Sequence, residues 1–302
     1  MASILRVLGI ALGVLLSGVP ARAAERLPPV HLVFDLDWTL FSIIPEGADL
    51  AAYAGDARFF TVEGKNYRLS NGVAEAINRL LDFNRRVGYE YVKISFFSGG
   101  TRSRNEALLK KIVFDPDTGR TAFDAAEKVL SFEDLKDLFP DLTADRHVSF
   151  TDRYRKNLVS YFKDLERTVA VDDVEKFFVG DQSKSLLWIG ETYQDFPTFA
   201  DAVVAKSLAP PGTKYLPPDF AAWAADQNRI LIAALELEYA LDSEVAAANR
   251  PGRKPLAFRD RLQAIHARFR KDELLARLKK IYPHLSFFGC GALFRGPGKT
   301  PR

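Results

Sequence analysis

The chain has 302 residues, which is enough for one large domain or for a catalytic core with an appended unit. Its hydrophobic content of 47% and charged content of 27% are typical of a soluble globular protein. The formal net charge is only +3, and no basic stripe interleaved with aromatic residues is visible. These features argue against duplex nucleic acid as a partner.

The first residues resemble a targeting segment rather than part of the fold. Residues 1–23 contain one arginine, an apolar stretch at 7–16 and an A-x-A pattern at 21–23. This order predicts a secretory signal peptide that is cleaved after Ala23. The apolar stretch is shorter than the ~20 residues of a membrane-spanning helix. We therefore expect an exported protein without a stable membrane anchor, most simply located in a bacterial periplasm.

Short apolar runs alternate with helical patterns between residues 30 and 190. The predicted strands are VHLVF at 30–34, YEYVKISFF at 89–97, HVSF at 147–150, TVAVDD at 168–173 and SLLWIG at 185–190. The predicted helices are 71–88, 103–114 and 152–166. This alternation is typical of an α/β protein, so we expect a Rossmann-like parallel sheet with helices on both faces and right-handed crossovers.

Two insertions and a C-terminal extension complete the expected organisation. Residues 41–70 include a predicted hairpin that turns at 64–66, and residues 111–146 include a short helix near 131–139. Both insertions are short, which favours a small flap over a large cap domain. Beyond residue 208 the chain has long helical patterns rich in alanine and leucine. We therefore divide the chain into a signal peptide (1–23), an α/β catalytic domain (24–208) and a helical extension (209–302).

Chemically suggestive side chains stand at or near the ends of four predicted strands. They are Asp35 and Asp37, then Ser98, then Lys156, and finally Asp172 and Asp173. Each has an ordinary structural explanation alone: a turn for Ser98, solvation for Lys156, and turn or capping roles for the aspartates. The carboxyl ends of parallel strands, however, lie at one edge of the sheet, where ligands bind. The topology therefore predicts that these groups meet.

In this order the motifs resemble those of the haloacid dehalogenase (HAD) superfamily of phosphohydrolases. The matching stretches are DLDWT at 35–39, FFSGG around Ser98, RKNL around Lys156 and VDD at 171–173. The resemblance covers about residues 30–190 and is greatest to the phosphatases of the NLI-interacting-factor or carboxy-terminal-domain (CTD) branch. Asp172 follows Lys156 by the sixteen positions usual there. That spacing favours Lys156 over Lys163 as the lysine of the third motif. The triplet that begins at Lys156 reads K-N-L, whereas the triplet usual in this branch is K-D-L.

The resemblance implies a role for each residue. Asp35 would be the nucleophile that forms an aspartyl-phosphate, and Asp37 the general acid and base. Ser98, Gly99 and nearby N–H groups would bind the phosphoryl oxygens, and Lys156 would neutralise their charge. Thr39 would brace the nucleophile loop beside the substrate. Trp38 replaces the small or acidic residue usual in this loop and could narrow substrate access.

A magnesium ion is the expected cofactor. Two close carboxylates repel each other unless a cation compensates their charge, and Mg²⁺ prefers oxygen ligands. The resemblance implies as ligands the Asp35 carboxylate, the Asp37 backbone carbonyl and a carboxylate of the last motif. Asp173 is preferred over Asp172 because it lies one residue farther past the strand.

The resulting expectation is an exported, Mg²⁺-dependent phosphatase that acts on a phosphorylated small molecule or phosphopeptide. A phosphotransferase or mutase would keep the same residues, so only product analysis separates these activities. A catalytically silent phosphate-binding protein is the non-enzymatic alternative. A haloalkanoic dehalogenase is disfavoured, because that chemistry does not need an acid at Asp37. Cys290 lies in an apolar stretch typical of a buried, inert thiol.

Overall fold

The structure is a computed structural model. It describes residues 26–141, 148–190, 196, 198–210, 216–249, 256–268, 276 and 280, together with all their side chains except that of Ala52. The predicted signal peptide, the first residue of the predicted strand at 147–150 and Cys290 lie outside these ranges. Among the described residues no helix has both the length and the apolar character needed to span a lipid bilayer.

Twelve strands lie in the described ranges. Their bounds are β1 Val30–Phe34, β2 Phe41–Ile43, β3 Phe59–Val62, β4 Lys65–Leu69, β5 Val92–Phe97, β6 Val113–Asp115, β7 Arg120–Thr121, β8 Ala126–Leu130, β9 Lys136–Asp137, β10 Tyr154–Arg155, β11 Thr168–Asp172 and β12 Leu186–Trp188. Five of them form a parallel sheet in the order β12-β11-β1-β5-β8. The predicted α/β fold with a parallel sheet is thus confirmed.

Helices precede, connect and follow these strands. The α-helices are α1 Val73–Val87, α2 Arg102–Leu109, α3 Ala122–Ala125, α4 Phe150–Arg153, α5 Phe199–Leu208, α6 Phe220–Gln227, α7 Arg229–Ala248 and α8 Phe258–His266. Short 3-10 helices lie at Leu50–Tyr53, Phe132–Asp134, Leu158–Ser160, Leu165–Arg167, Glu175–Phe177 and Gly180–Ser185. The long helices α1 and α7 were both expected from their apolar periodicity.

The sheet is buried on both faces, which explains its nearly continuous apolar strands. On one face Leu32 and neighbouring sheet residues share a core with Leu80 of α1 and Leu237 of α7. On the other face Val33 packs in a separate cluster that includes Leu158 from one of the 3-10 helices. Long helices therefore cover the first face, while short helical turns cover the second.

The small flap predicted between residues 41 and 70 is a three-stranded antiparallel sheet, in the order β2-β4-β3. Its hairpin turns at Glu63 and Gly64, slightly earlier than expected. Both residues have positive φ angles, 49° and 75°. Such turns match the right-handed twist of the two strands that they join. The flap follows β1 directly, so it lies next to the residues at the end of that strand.

The predicted elements near 131–139, at 147–150 and at 152–166 are wrong. The first is a 3-10 helix at Phe132–Asp134 followed by β9, not one short helix. Residues 148–150 form no strand, because Phe150 begins α4. The neighbour of β5 on the side away from β1 is β8, in a segment for which no strand was predicted. Residues 152–166 do not form one helix but the end of α4, β10 and two 3-10 helices. Their backbone bonds go to other segments, since the Lys156 N–H donates to Phe177 O (3.2 Å) and the Leu158 N–H to Gln182 Oε1 (2.6 Å). Lys156 therefore lies in a loop.

The C-terminal helix α7 is packed into the main core rather than held apart from it. Thirteen of its residues are buried, including Leu231, Leu235 and Leu241. Gly72 leaves room for Leu231, because a Cβ at that glycine would lie 2.4 Å from the leucine side chain. The proposed domain boundary near residue 208 stays a prediction, but α7 packs against the same core as the sheet.

Candidate active site

The order of the central strands brings the sequence motifs together. Strand β1 lies between β11 and β5, and all three run in the same direction. Asp35 follows β1, Ser98 follows β5 and Asp172 ends β11. These residues therefore share the carboxyl edge of the sheet, as the motif positions predicted. Lys156 reaches the same edge from its loop.

Lys156 forms a buried ion triad with Asp35 and Asp172. Its Nζ donates to Asp35 Oδ1 and to Asp172 Oδ2, both at 2.6 Å. The lysine side chain is only 2% exposed. Burial disfavours its charge, but the two carboxylates outweigh that effect and raise the pKa of Lys156 above its usual value. Lys163, the competing lysine, is exposed to solvent.

Three carboxylates converge beside this lysine. Asp35, Asp172 and Asp173 each offer an oxygen, and these oxygens lie within 4.8 Å of one another. With all four side chains ionised, as a bound cation would favour, three negative charges and one positive charge leave a net charge of −2. Burial raises the pKa of Asp35 well above its usual value. Lys156 lowers this pKa, but the neighbouring carboxylates raise it further. An all-oxygen donor set with this excess charge fits a divalent cation such as Mg²⁺.

The two aspartates at the end of β11 differ in their burial and in their contacts. Asp172 is buried, with one oxygen bound to Lys156 and the other accepting the Val174 N–H at 2.8 Å. Asp173 is half-buried, and its Oδ1 accepts the Thr39 hydroxyl at 3.4 Å. Asp173 is thus the less buried of the two, and the preference for it as the metal ligand stays a prediction. Thr39 is fully buried, which fits a bracing role in the nucleophile loop.

Asp37 stands in a different environment from Asp35. Its Oδ2 accepts the Ser98 hydroxyl at 2.9 Å and Arg104 Nη2 at 2.6 Å. Its Oδ1 is buried and has no hydrogen-bond partner among the described residues. Arg104 Nη2 also donates to Ser98 Oγ, at 3.1 Å. Asp37 is therefore held at one oxygen, while its other oxygen is buried without a hydrogen-bond partner among the described residues.

Arg104 is the site residue that the sequence motifs missed. It lies in the first turn of α2, where the Thr101 side chain caps the helix by accepting the Arg104 N–H. Its side chain is 15% exposed. Burial opposes its charge, but Asp37 outweighs that effect and raises the pKa of Arg104. In the sequence, the only sign of Arg104 as a site residue is a basic side chain six positions after Ser98. Its partner, Asp37, becomes evident only in the folded structure.

The two glycines after Ser98 make room for side chains that border the site. A Cβ at Gly99 would lie 2.8 Å from Phe150 Cζ, and a Cβ at Gly100 would lie 2.0 Å from Arg104 Nη2. The guanidinium of Arg104 thus lies flat against Gly100. This contact gives the Gly-Gly pair a packing role beyond turn formation.

The nucleophile loop folds back on itself between Asp35 and β2. Leu36 O accepts the N–H groups of Leu40 and Phe41, both at 2.9 Å. Trp38 has a φ of 60°, in the left-handed region that bulky side chains rarely occupy. The Trp38 N–H donates to Phe41 O at 2.6 Å, which holds the tryptophan in this conformation. The loop is therefore a closed turn that points Asp37 toward Ser98.

Sequence comparisons identify no related family or protein: no protein-family model matches the chain, and no curated protein is similar to it. Two solved structures are similar to it in fold. Fcp1, an essential RNA polymerase II CTD phosphatase, is 16% identical, with 78% of this chain and 70% of that chain covered and a TM-score of 0.37. A variant of the fission yeast RNA polymerase II CTD phosphatase Fcp1 bound to beryllium fluoride is 15% identical, with 88% and 69% covered and a TM-score of 0.34. At these values neither similarity assigns a function or a site residue to this chain.

Proposed function

We propose that this chain is a HAD-type, Mg²⁺-dependent phosphatase that hydrolyses phosphate monoesters through an aspartyl-phosphate on Asp35. One observation carries the proposal. Two carboxylates from the same loop lie in different surroundings. Asp35 lies among a lysine and two more carboxylates, and Asp37 lies beside Ser98 and Arg104 with one oxygen that has no hydrogen-bond partner among the described residues. A nucleophile next to a separate proton donor is what two-step phosphoryl transfer requires.

In the first step an Asp35 oxygen attacks phosphorus, and the bond between phosphorus and the ester oxygen breaks. Asp37 gives its proton to the departing alcohol oxygen. In the second step Asp37 takes a proton from a water molecule, whose oxygen attacks the aspartyl-phosphate, and inorganic phosphate and free Asp35 result. Ser98 and the backbone N–H of Gly99 would hold the phosphoryl oxygens.

The Asp35 and Asp173 carboxylates, with the Asp37 backbone carbonyl, would hold the metal ion. Mg²⁺ at that position supplies positive charge that offsets the repulsion between the carboxylates and the phosphoryl group. Lys156 adds a second, permanent positive charge, because it is buried against Asp35 and Asp172. The substrate would be a phosphorylated small molecule or a phosphopeptide.

The test compares Asp35→Asn with Asp37→Asn in the full mature protein. Asp35→Asn should abolish turnover and the acid-stable phospho-enzyme signal. Asp37→Asn should still form that species but slow both steps, by roughly 10²–10⁴-fold, as expected for a lost general acid. Asp117→Asn, in the exposed turn between β6 and β7, is a matched control and should retain wild-type turnover.

Three further measurements complete the test. Turnover should disappear in EDTA and return with Mg²⁺. Phosphate transfer to an added alcohol at the expense of free phosphate would identify a phosphotransferase instead. Near wild-type turnover in Asp35→Asn would contradict the proposed function, and phosphate binding without turnover in the wild type would identify a silent binding protein.

A further inference from the structure

Three aromatic side chains form a continuous surface beside the candidate active site, here called the aromatic wall: Phe132, Phe150 and Tyr154. The Phe150 and Tyr154 ring centroids are 4.9 Å apart, those of Phe132 and Tyr154 are 5.2 Å apart, and those of Phe132 and Phe150 are 6.3 Å apart. Phe132 is 40% exposed and Phe150 is 42% exposed. Large apolar side chains thus remain accessible to solvent although they contact one another.

The wall is attached to the loop that would bind the phosphoryl group. The Phe132 N–H donates to Gly100 O at 2.9 Å. The Phe150 ring lies against Gly99, where a Cβ would come within 2.8 Å of Cζ. Ser98 Oγ, one residue before Gly99, is 2.9 Å from Asp37 Oδ2. The exposed rings therefore contact a glycine next to Ser98, and Ser98 is hydrogen-bonded to Asp37, the group that would protonate the leaving oxygen.

The wall is also fixed from beneath. The Phe150 ring packs edge-on against Phe177, with a centroid separation of 6.0 Å. Phe177 is buried, and its ring lies 5.2 Å from Lys156 Nζ. The aromatic surface is thus part of the packed structure around the ion triad and has a defined position relative to it.

The neighbouring side of the site is polar. Glu63, at the tip of the flap hairpin, accepts the Ser103 hydroxyl at 2.9 Å. Arg104, one residue farther along α2, binds Asp37. The leaving group of a bound substrate would therefore lie between polar atoms on the flap side and aromatic rings on the side of the wall.

On the basis of the proposed function, we infer that the substrate is an aryl phosphate, in which an aromatic ring is bonded directly to the ester oxygen, as in phosphotyrosine. Such a ring lies close enough to the phosphorus to stack on a surface that begins at Gly99. Aromatic rings prefer centroid separations of 4.5–7 Å, in offset or edge-on arrangements. An alkyl phosphate such as phosphoserine places one methylene group and then polar backbone in the same space.

The experiment measures kcat/KM for two peptides of the same sequence that carry either phosphotyrosine or phosphoserine. Phe150→Ala should lower the value for the phosphotyrosine peptide about 3- to 10-fold, the range of one aromatic contact, and leave the phosphoserine value nearly unchanged. Phe150→Tyr keeps the ring and should restore the preference. Phe139→Ala is the matched control, because Phe139 is 43% exposed and makes no ring contact with the wall among the described residues.

A binding measurement separates this inference from the proposed function. Phenylphosphonate should bind the wild type more tightly than methylphosphonate does, and Phe150→Ala should remove most of that difference without any need for turnover. Equal losses on both peptides, no loss on either, or a larger loss on a nucleotide than on phosphotyrosine would overturn the inference. Failure of the wild type to hydrolyse any of these esters would instead overturn the proposed function, while the phosphonate result would still test the wall.

Discussion

Removal of the Lys156 charge tests the buried ion triad most directly. Lys156→Met keeps the length of the side chain but leaves Asp35 and Asp172 without their shared cation. The three side chains are 2%, 7% and 1% exposed, and both ion-pair distances are 2.6 Å. Loss of one partner from a buried pair typically costs about 3–5 kcal/mol, because the other charge stays buried and unpaired.

This cost corresponds to a large change in melting temperature. For domains of 150–250 residues, 1 kcal/mol shifts Tm by about 2–4 °C, so Lys156→Met should melt about 6–20 °C below the wild type. Differential scanning calorimetry in EDTA measures the shift. Lys176→Met is the matched control, since Lys176 is 67% exposed and pairs with Asp152 at 3.3 Å. Its Tm should stay close to that of the wild type.

The shift should depend on pH in a defined direction. Burial raises the pKa of Asp35 and of Asp172 in the folded protein, and loss of Lys156 removes the main influence that lowers them. A carboxyl with a raised folded-state pKa binds its proton more tightly when folded, so the protein loses stability as the pH rises above the unfolded value of about 4. The Tm difference between Lys156→Met and wild type should therefore be smaller at pH 5 than at pH 8.

Added Mg²⁺ should raise the Tm of Lys156→Met more than that of the wild type, because the ion replaces the missing positive charge beside the carboxylates. If Lys156→Met melts together with Lys176→Met in EDTA, the triad is not a buried charge cluster and the argument for a metal at this edge fails with it.

Two shorter predictions concern export and the second glycine of the site. Mass spectrometry of the exported protein should show Ala24 at its N-terminus, and full-length protein in the cytoplasm would contradict cleavage after residue 23. Gly100→Ala should displace the Arg104 guanidinium from Asp37, because the new Cβ would lie 2.0 Å from Nη2. We expect a lower kcat with little change in Tm, and unchanged kcat would show that this ion pair does not position Asp37.

The sheet and the positions of its acidic residues could be predicted because their signals are local. A strand buried on both faces needs a continuous apolar run, and VHLVF and TVAVD provide one. The aspartates follow these runs directly, so prediction of β1 and β11 also placed Asp35 and Asp172. Edge strand β8 gave no such signal. Its sequence is AEKVL, and Glu127 is exposed and accepts a hydrogen bond from Lys93 at 3.3 Å.

The misplaced helix at 152–166 has a related cause. Leu158, Phe162 and Leu165 have helical spacing, and the structure packs all three in one cluster. Leu158 and Leu165 lie there in two separate 3-10 helices, with Phe162 between them. No single helix forms, because Lys156 is held by carboxylates from distant strands and its N–H is bonded to Phe177. Tertiary hydrogen bonds of this kind leave no trace in local periodicity. The Arg104–Asp37 ion pair, which joins residues 67 positions apart, was hidden for the same reason.

The C-terminal helix α7 bonds to residues at the end of the sheet opposite the candidate active site. Glu244 of α7 accepts a hydrogen bond from the Tyr91 hydroxyl and binds Arg167 Nη1 at 2.7 Å. Arg167 Nε also donates to Pro29 O at 3.2 Å. Burial, followed by the contact with Glu244, raises the pKa of Tyr91, so its hydroxyl stays a proton donor.

Each of those three partners immediately precedes a strand: residue 29 precedes β1, residue 91 precedes β5 and residue 167 precedes β11. These are the strands whose other ends carry Asp35, Ser98 and Asp172. One carboxylate on α7 thus links the starting points of the three strands that place the candidate catalytic groups. The register of β1 with β5 and β11 is continuous from these starting points to the ends that carry the candidate catalytic groups. We therefore predict that the helical extension supports the geometry of the site and does not take part in the chemistry, so truncation near residue 208 should lower stability while a folded product keeps some turnover.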